Sequence, residues 1–156
     1  MRSVRESVVI HAPIASVFRV AVEEDGLHKF FRGALGVIPS IESMKTESPA
    51  RVGALREVVL GDGSRIVERI VAWDPPRLHG YEAHEKNPLQ AFLFERVAAE
   101  FAFEEVGDTT RVTWTYSLAP KSVWLTPIVS VVLFAFRKAQ RRCLDALKKE
   151  LEPKPA

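Results

Sequence analysis

The sequence is poor in the residues that carry recognisable chemistry. It has one cysteine in 156 residues, Cys143, so no disulfide closes within the chain and a reducing, cytoplasmic setting is expected. Cys143 falls on an apolar helical face, which points to core filling rather than a nucleophile. The four histidines, His11, His28, His79 and His84, are scattered without metal spacing, and no metal site is expected. There is no Gly-x-Ser-x-Gly, no phosphate loop and no dinucleotide fingerprint, so neither nucleophilic catalysis nor a nucleotide cofactor has a visible apparatus. The net charge of +2 is too small to argue for nucleic acid or membrane. Behind Met1 stand Arg2, Arg5 and Glu6 rather than an apolar segment, so no signal peptide is expected. The longest apolar run, Val123 to Phe136, is interrupted by Thr126, Pro127 and Ser130. It falls short of the roughly 18–20 residues that span a bilayer, and stable membrane insertion is not expected.

What is present reads as one globular domain over 1–151, with a frayed tail at 152–156. Hydrophobic residues make up 47% and charged residues 27%, ordinary values for a folded chain. The dominant element is the last. Thr126-Pro127 reads as an N-cap followed by proline at the first helical position, and neither glycine nor proline follows until Pro153. The spacing predicts one helix over Thr126 to Leu151, about seven turns long. Its first half, Ile128 to Phe136, is apolar nearly all round. Its second half carries Ala139, Cys143, Leu144, Leu147 and Leu151 at steps of three and four. The basic residues Arg137, Lys138, Arg141, Arg142, Lys148 and Lys149 read as a solvated face whose last turn complements the helix dipole, in preference to a phosphate-binding patch, because no aromatic residues are interleaved with the charges.

Before that helix the chain alternates. Val4 to His11 reads as a strand with Val4, Val8 and Ile10 on one face. Two short helices follow, one from Pro13 with Ile14, Val17, Phe18 and Ala21, the other over Leu27 to Arg32 with Leu27, Phe30 and Phe31. Six strands come next: Val37–Lys45 with Pro39 at an edge or bulge, Gly53–Leu60, Ser64–Trp73, Leu78–His84, Phe92–Glu105 and Thr110–Leu118. Gly61-Asp62-Gly63 and Gly107-Asp108 mark hairpin turns, Asp74-Pro75-Pro76 is a turn, and Glu85 to Leu89 reads as a polar loop. In Phe92–Glu105 the apolar set is Val97, Ala99, Phe101 and Phe103, which leaves Arg96 outside unless a bulge reverses the parity. A sheet with one buried face and one wet face needs a cover, and only the C-terminal helix is long and apolar enough. The expected fold class is α+β, in the order β-α-α-β6-α, with about seven antiparallel strands.

These pieces resemble the START-like, or SRPBCC, superfamily, whose helix-grip fold is shared by polyketide cyclases, lipid-transfer domains and the birch-pollen allergen. Ser7 to Phe18 is similar to the superfamily's opening strand, Ala-Pro turn and first helix. Val52 to Val58 resembles its Gly-x-x-Arg strand. Asp62-Gly63, Val67 to Ile70 and Trp73 to Leu78 resemble the next hairpin and Asp-Pro-Pro turn, and Thr109 to Trp114 its Thr-Arg-Val-Thr-Trp strand. The nearest likeness is to the bacterial polyketide cyclase/dehydrase-like group.

The resemblance implies a cavity between sheet and helix. Strand parity then gives its lining: Arg56, Val58 and Leu60; Ile66, Glu68 and Ile70; His79, Tyr81 and Ala83; Val112, Trp114 and Tyr116; with Ile128, Val132, Ala135 and Ala139 from the helix. Glu68 on an apolar parity needs a partner, and Arg56 on the neighbouring strand is the natural one. Together they read either as a polar anchor for an apolar ligand or as a structural ion pair at the sheet rim. Catalytic candidates are Glu68, Arg56, Tyr81 and a histidine near the cavity mouth, His84.

The leading expectation is binding of a small hydrophobic or amphipathic ligand (lipid-, polyketide- or aromatic-like) for carriage, sensing or sequestration. One alternative is a polyketide cyclase or dehydratase that templates acid/base chemistry in the pocket. Another is a protein-interaction module of the chaperone-activator type, its cavity filled by Phe101, Phe103 and Trp114. Because Ile128 to Phe136 is apolar around most of its circumference, Trp124, Leu125, Val129, Leu133 and Phe136 are expected to include residues that do not face the sheet. Those residues would meet a second subunit in a homodimer, a lid or a membrane surface.

Overall fold

The computed structural model describes residues 1–23 and 26–152, without the side chains of 26 and 27. Residues 24 and 25, which lie where the sequence Glu23-Glu24-Asp25-Gly26 is expected to break the first helix, the side chain of Leu27 and most of the tail therefore lie outside the described residues. Strand β1 (Arg2–Ile10) leads into helix α1 (Ile14–Phe18), which widens into a π-helical turn over Arg19–Glu23, and then into α2 (Gly26–Phe30). Strands β2 (Ile41–Thr46), β3 (Leu55–Leu60), β4 (Arg65–Asp74) and β5 (Leu78–Glu85) follow. A short helix α3 (Pro88–Leu93) precedes β6 (Phe94–Val106) and β7 (Thr109–Pro120), and α4 (Thr126–Leu151) closes the chain. The seven strands form one antiparallel sheet in the order β1-β7-β6-β5-β4-β3-β2.

Three local expectations change. The strand expected over Val37–Lys45 begins only at Ile41, because 34–38 is a turn closed by Ile38 N–H to Ala34 C=O at 3.0 Å. Gly33 leads into it with φ +75°, where an added Cβ would collide with the Ile38 carbonyl oxygen. The loop expected at Glu85–Leu89 holds the start of α3: Asn87 Oδ1 accepts the Gln90 N–H at 2.8 Å and Pro88 opens the helix. Finally, Thr126 is not a side-chain cap. A 3-10 turn, Val123–Leu125, runs straight into α4, and the capping oxygen belongs to Ser122, which accepts from Trp124 N–H at 3.4 Å.

The concave face is filled by α4 and by aromatic rings. Phe101 stacks on Trp114 at 4.7 Å, Trp114 meets Phe136 edge-on at 5.5 Å, and Phe136 stacks on Tyr116 at 3.6 Å. Phe18 packs edge-on against both Phe103 and Trp73. Val97, Ala99, Phe101 and Phe103 all turn inward and Arg96 turns out to pair with Glu82. The bulge between Phe94 and Arg96 lets Phe94 turn inward as well.

Polar contacts fix α4 against the edge strand. Arg137 Nε donates to Glu6 at 2.7 Å, and Arg141 Nη1 donates to Glu6 at 3.1 Å and to the Ser7 carbonyl at 3.0 Å. Lys148 reaches the Val9 carbonyl at 2.7 Å, so these cations do more than solvate a face. Deeper in, Gln140 is fully buried and donates to the Trp114 carbonyl at 3.1 Å. By length and composition alone the helix Val123–Leu151 is long and apolar enough to cross a membrane, with a mean hydropathy of 1.2 over its best window, although its continuous apolar run is short. In the fold it is a core helix, with Val129, Leu133 and Phe136 buried among nine inward residues.

The rotation of α4 is testable. Leu133→Ala, at a buried site, is expected to cost about 2–5 kcal/mol of unfolding free energy. Val131→Ala, two residues away and 59% exposed, is expected to change stability by no more than about 0.5 kcal/mol. Equal losses in urea titrations of the two variants would mean the helix is turned differently.

Candidate functional site

A cavity of about 180 Å³ opens between the sheet and the first half of α4. Strand parity places most of its wall: Val58, Leu60, Ile66, Glu68, Tyr81, Trp114 and Tyr116 line it, with Val132 from α4. Sequence reasoning missed the rest. Phe31 and the segment Val37–Ile41 border it on one side, and Leu89, Gln90 and Leu93 of α3 on the other, with Phe136 beneath. The signal for α3 is Asn87-Pro88, a capping residue before a proline.

Other residues expected in the lining sit elsewhere. Arg56, Ile70 and His79 face a second, more open space of about 510 Å³ between β2, the π-helical turn and the loop after β2. Trp73 joins them because a bulge between Ile70 and Ala72 resets the parity of β4. Ile128 is 44% exposed on the outer side of α4, and Ala135 is buried in packing without reaching the cavity. Val112 and Ala139 belong to the packed core beside the cavity. His84 also fails as a mouth histidine: its neighbour Ala83 lines the cavity, so the alternation of β5 puts His84 on the outer, exposed face.

The polar centre lies between the two spaces. Arg56, only 4% exposed, donates from Nε to Glu68 Oε2 at 2.8 Å and from Nη2 to the same oxygen. Its Nη1 lies 3.2 Å from His79 Nε2, and its guanidinium carbon stands 4.5 Å from the centre of the Tyr81 ring. Arginine has no acceptor, so His79 Nε2 accepts and the imidazole proton sits on Nδ1. That Nδ1–H has no partner among the described residues. The guanidinium thus forms a wall, with Glu68 on the cavity side and His79 on the other.

Burial, and secondarily the Arg56 charge, pull the His79 pKa down to about 3. Burial, then the nearby Glu68 carboxylate, raise the hydroxyls of Tyr81 and Tyr116 well above the ordinary tyrosine value. Both tyrosines therefore stay protonated in the physiological range and keep their O–H donors. Burial pushes the Cys143 thiol up to about 12, which makes it an inert core residue. Among the described residues no group of His, Cys, Asp and Glu is arranged to hold a metal.

A curled antiparallel sheet gripping one long helix, with a largely apolar cavity between them, defines the class: a helix-grip protein. The chain belongs to the family described as polyketide cyclase / dehydrase and lipid transport, whose model matches residues 1–152. Solved structures agree in fold. A protein of Thermus thermophilus is 19% identical, with 96% of this chain and 97% of that one covered at a TM-score of 0.71. The Zhui aromatase/cyclase from a Streptomyces species is 15% identical, with 96% and 93% covered at 0.71. Ara h 8.0201 is 18% identical, with 96% and 97% covered at 0.65. Among curated proteins no sequence match is found.

The His79 reading has a pH signature. The unfolded chain takes up a proton on this histidine near its ordinary value of about 6.5, whereas the folded chain does not until about pH 3. Between those values the unfolded state binds more protons, so stability is full above the upper value and falls with pH through the window. Urea midpoints should drop more steeply below about pH 6.5 in the wild type than in His79→Gln; superimposable profiles would remove His79 from this role.

Proposed function

We propose that the cavity holds a compact apolar or amphipathic molecule bearing one hydroxyl or carbonyl group, for carriage, sensing or sequestration. The observation that carries this is Glu68. Its side chain is 12% exposed, it lines an otherwise largely apolar cavity, and buried Arg56 holds it in place. A carboxylate fixed in this way accepts a ligand hydroxyl, while Tyr81 and Tyr116 in the same wall offer O–H donors to a carbonyl. Size limits the ligand. A space of about 180 Å³ is below the ~300–1,000 Å³ usual for drug-sized ligands. It suits a mono- or bicyclic ring system or a short acyl chain, not an extended polyketide held whole.

A second reading is a cyclase or dehydratase. It is favoured by the juxtaposition in one cavity of a carboxylate and two tyrosine hydroxyls that stay protonated, the groups needed to move protons on an oriented ketone. The likeness to an aromatase/cyclase is one of fold. A chaperone-activator type of module fits less well: Phe101, Phe103 and Trp114 pack together, yet space remains beside them.

Native mass spectrometry of the purified full chain is expected to show a co-purified small molecule, or a thermal-shift panel of hydroxylated aromatics and medium-chain lipids to yield a stabiliser. Glu68→Gln should weaken a hydroxyl-bearing ligand by about 1.5–3 kcal/mol, the worth of a hydrogen bond to a charged group, and leave its deoxy analogue unaffected. Equal affinity for both ligands in wild type and variant would sink the anchor. For the second reading, undiminished cyclisation turnover by Glu68→Gln would exclude Glu68 as the acid/base group.

A further inference from the structure

Some exposed large apolar side chains, such as Met1, Val9, Val52, Val71 and Val106, are dispersed, but one group among the described residues is gathered on α3, α4 and the turn before α4. On α4 and the turn before it, Trp124, Ile128, Val131 and Phe134 are exposed, Trp124 by 86%, and on α3 so are Leu89 and Phe92. The two helices are neighbours: Leu93 of α3 shares a buried cluster with Val129 and Leu133 of α4, and the Lys121 N–H, just past β7, donates to the Leu93 carbonyl at 3.0 Å. Both also border the cavity, through Leu89 and Gln90 on one side and Val132 on the other. The exposed apolar patch therefore flanks the cavity mouth.

Charge says what the patch fits. The outer face of α4 runs Trp124, Ile128, Val131, Phe134, Lys138, Arg142 at steps of three and four, and no acidic residue occurs from Val123 to Leu144. Arg137 and Arg141 are engaged with Glu6. Lys138 instead lies 5.1 Å over the Phe134 ring. Lys121, Lys138 and Arg142 have no carboxylate partner among the described residues. An apolar helix tip carrying Trp and Phe, continued by unpaired cations on the same face, has the chemistry of an interfacial helix on anionic lipid.

We propose that this face docks on an anionic bilayer surface, with Trp124, Ile128, Val131 and Phe134 at the headgroup–acyl boundary, Lys138 and Arg142 on lipid phosphates, and the cavity mouth turned to the membrane. A two-fold pairing with a second copy fits less well, because it would set cation against cation with no acid between them on that stretch of α4. Spanning is excluded by the inner face of the same helix, where Val129, Leu133 and Phe136 are held in the core. The docking surface stands independently of what the cavity holds.

The full chain is tested by co-sedimentation with vesicles of phosphatidylcholine alone and of equimolar phosphatidylcholine and phosphatidylglycerol. Binding is expected to the mixed vesicles, to be weak to the neutral ones, and to fall as salt is raised. Val131→Asp with Phe134→Asp should lower partitioning about tenfold or more, and Lys138→Glu with Arg142→Glu by a similar factor at low salt. All four sites are exposed, so circular dichroism should report wild-type folding in both variants. The proposal is overturned by no binding to mixed vesicles, or by binding that neither double variant weakens. A concentration-dependent dimer in light scattering that Val131→Asp with Phe134→Asp dissolves would equally overturn it.

Discussion

A curled sheet of seven strands offers more concave surface than one helix can cover. The rest of the structure answers that constraint. Where α4 passes over β1 and β7 it packs directly, with Gln140, Arg137, Arg141 and Lys148 fixing its distance and direction. Beyond that contact the space is filled by rings, from Phe18 and Phe103 through Phe101 and Trp114 to Phe136 and Tyr116. The stack stops at Tyr116. Past it no further ring contact to the helix is found among the described residues, and the cavity lies there, between β3, β4 and the helix. The site is thus a residue of incomplete packing, placed at one end because the aromatic rings occupy the other.

At the wall of that space the Arg56–Glu68 pair is costly to bury, and such a pair adds little net stability over a hydrophobic pair of equal size. Its cost is offset here by geometry: two hydrogen bonds to one carboxylate oxygen, a third to a neutral histidine and the face of Tyr81. Removing Arg56 would strip the Glu68 carboxylate of the guanidinium that holds it, which is worse than lacking the pair altogether. The arrangement therefore holds Glu68 in one position at the cavity wall. It also divides the interior, since the guanidinium plane stands between the apolar cavity and the more polar space around His79 and Trp73.

The strands are legible because a period of two leaves only two choices of face, and one buried charge or one run of valines decides between them. Glu68 beside Arg56 is readable for that reason. The same rule fails where a bulge adds a residue: Trp73 turns inward after Ile70, and nothing in Arg69-Ile70-Val71-Ala72 marks the irregularity. Helix α3 is hidden differently. Its six residues are too few to show a period, so only the cap, Asn87-Pro88, could reveal it, and that dipeptide serves a turn equally well. With α3 goes half of the cavity mouth.

The first half of α4 is the instructive failure. A helix apolar on all sides has no phase in its sequence. Ile128, Val129, Val131, Val132 and Leu133 are interchangeable by hydrophobicity, so nothing local tells that Ile128 lies outside and Val129 inside. The phase is set further along, where the residues differ. Gln140 must reach the Trp114 carbonyl, and Arg137 and Arg141 must reach Glu6. At about 100° per residue those three anchors turn Val129, Leu133 and Phe136 toward the sheet and Trp124, Ile128 and Val131 away from it. Polar contacts in one half of a rigid helix thus decide which apolar side chains of the other half are left outside. Since packing does not require those outward positions to be apolar, their hydrophobicity calls for a cause outside the core, beside the mouth of the cavity.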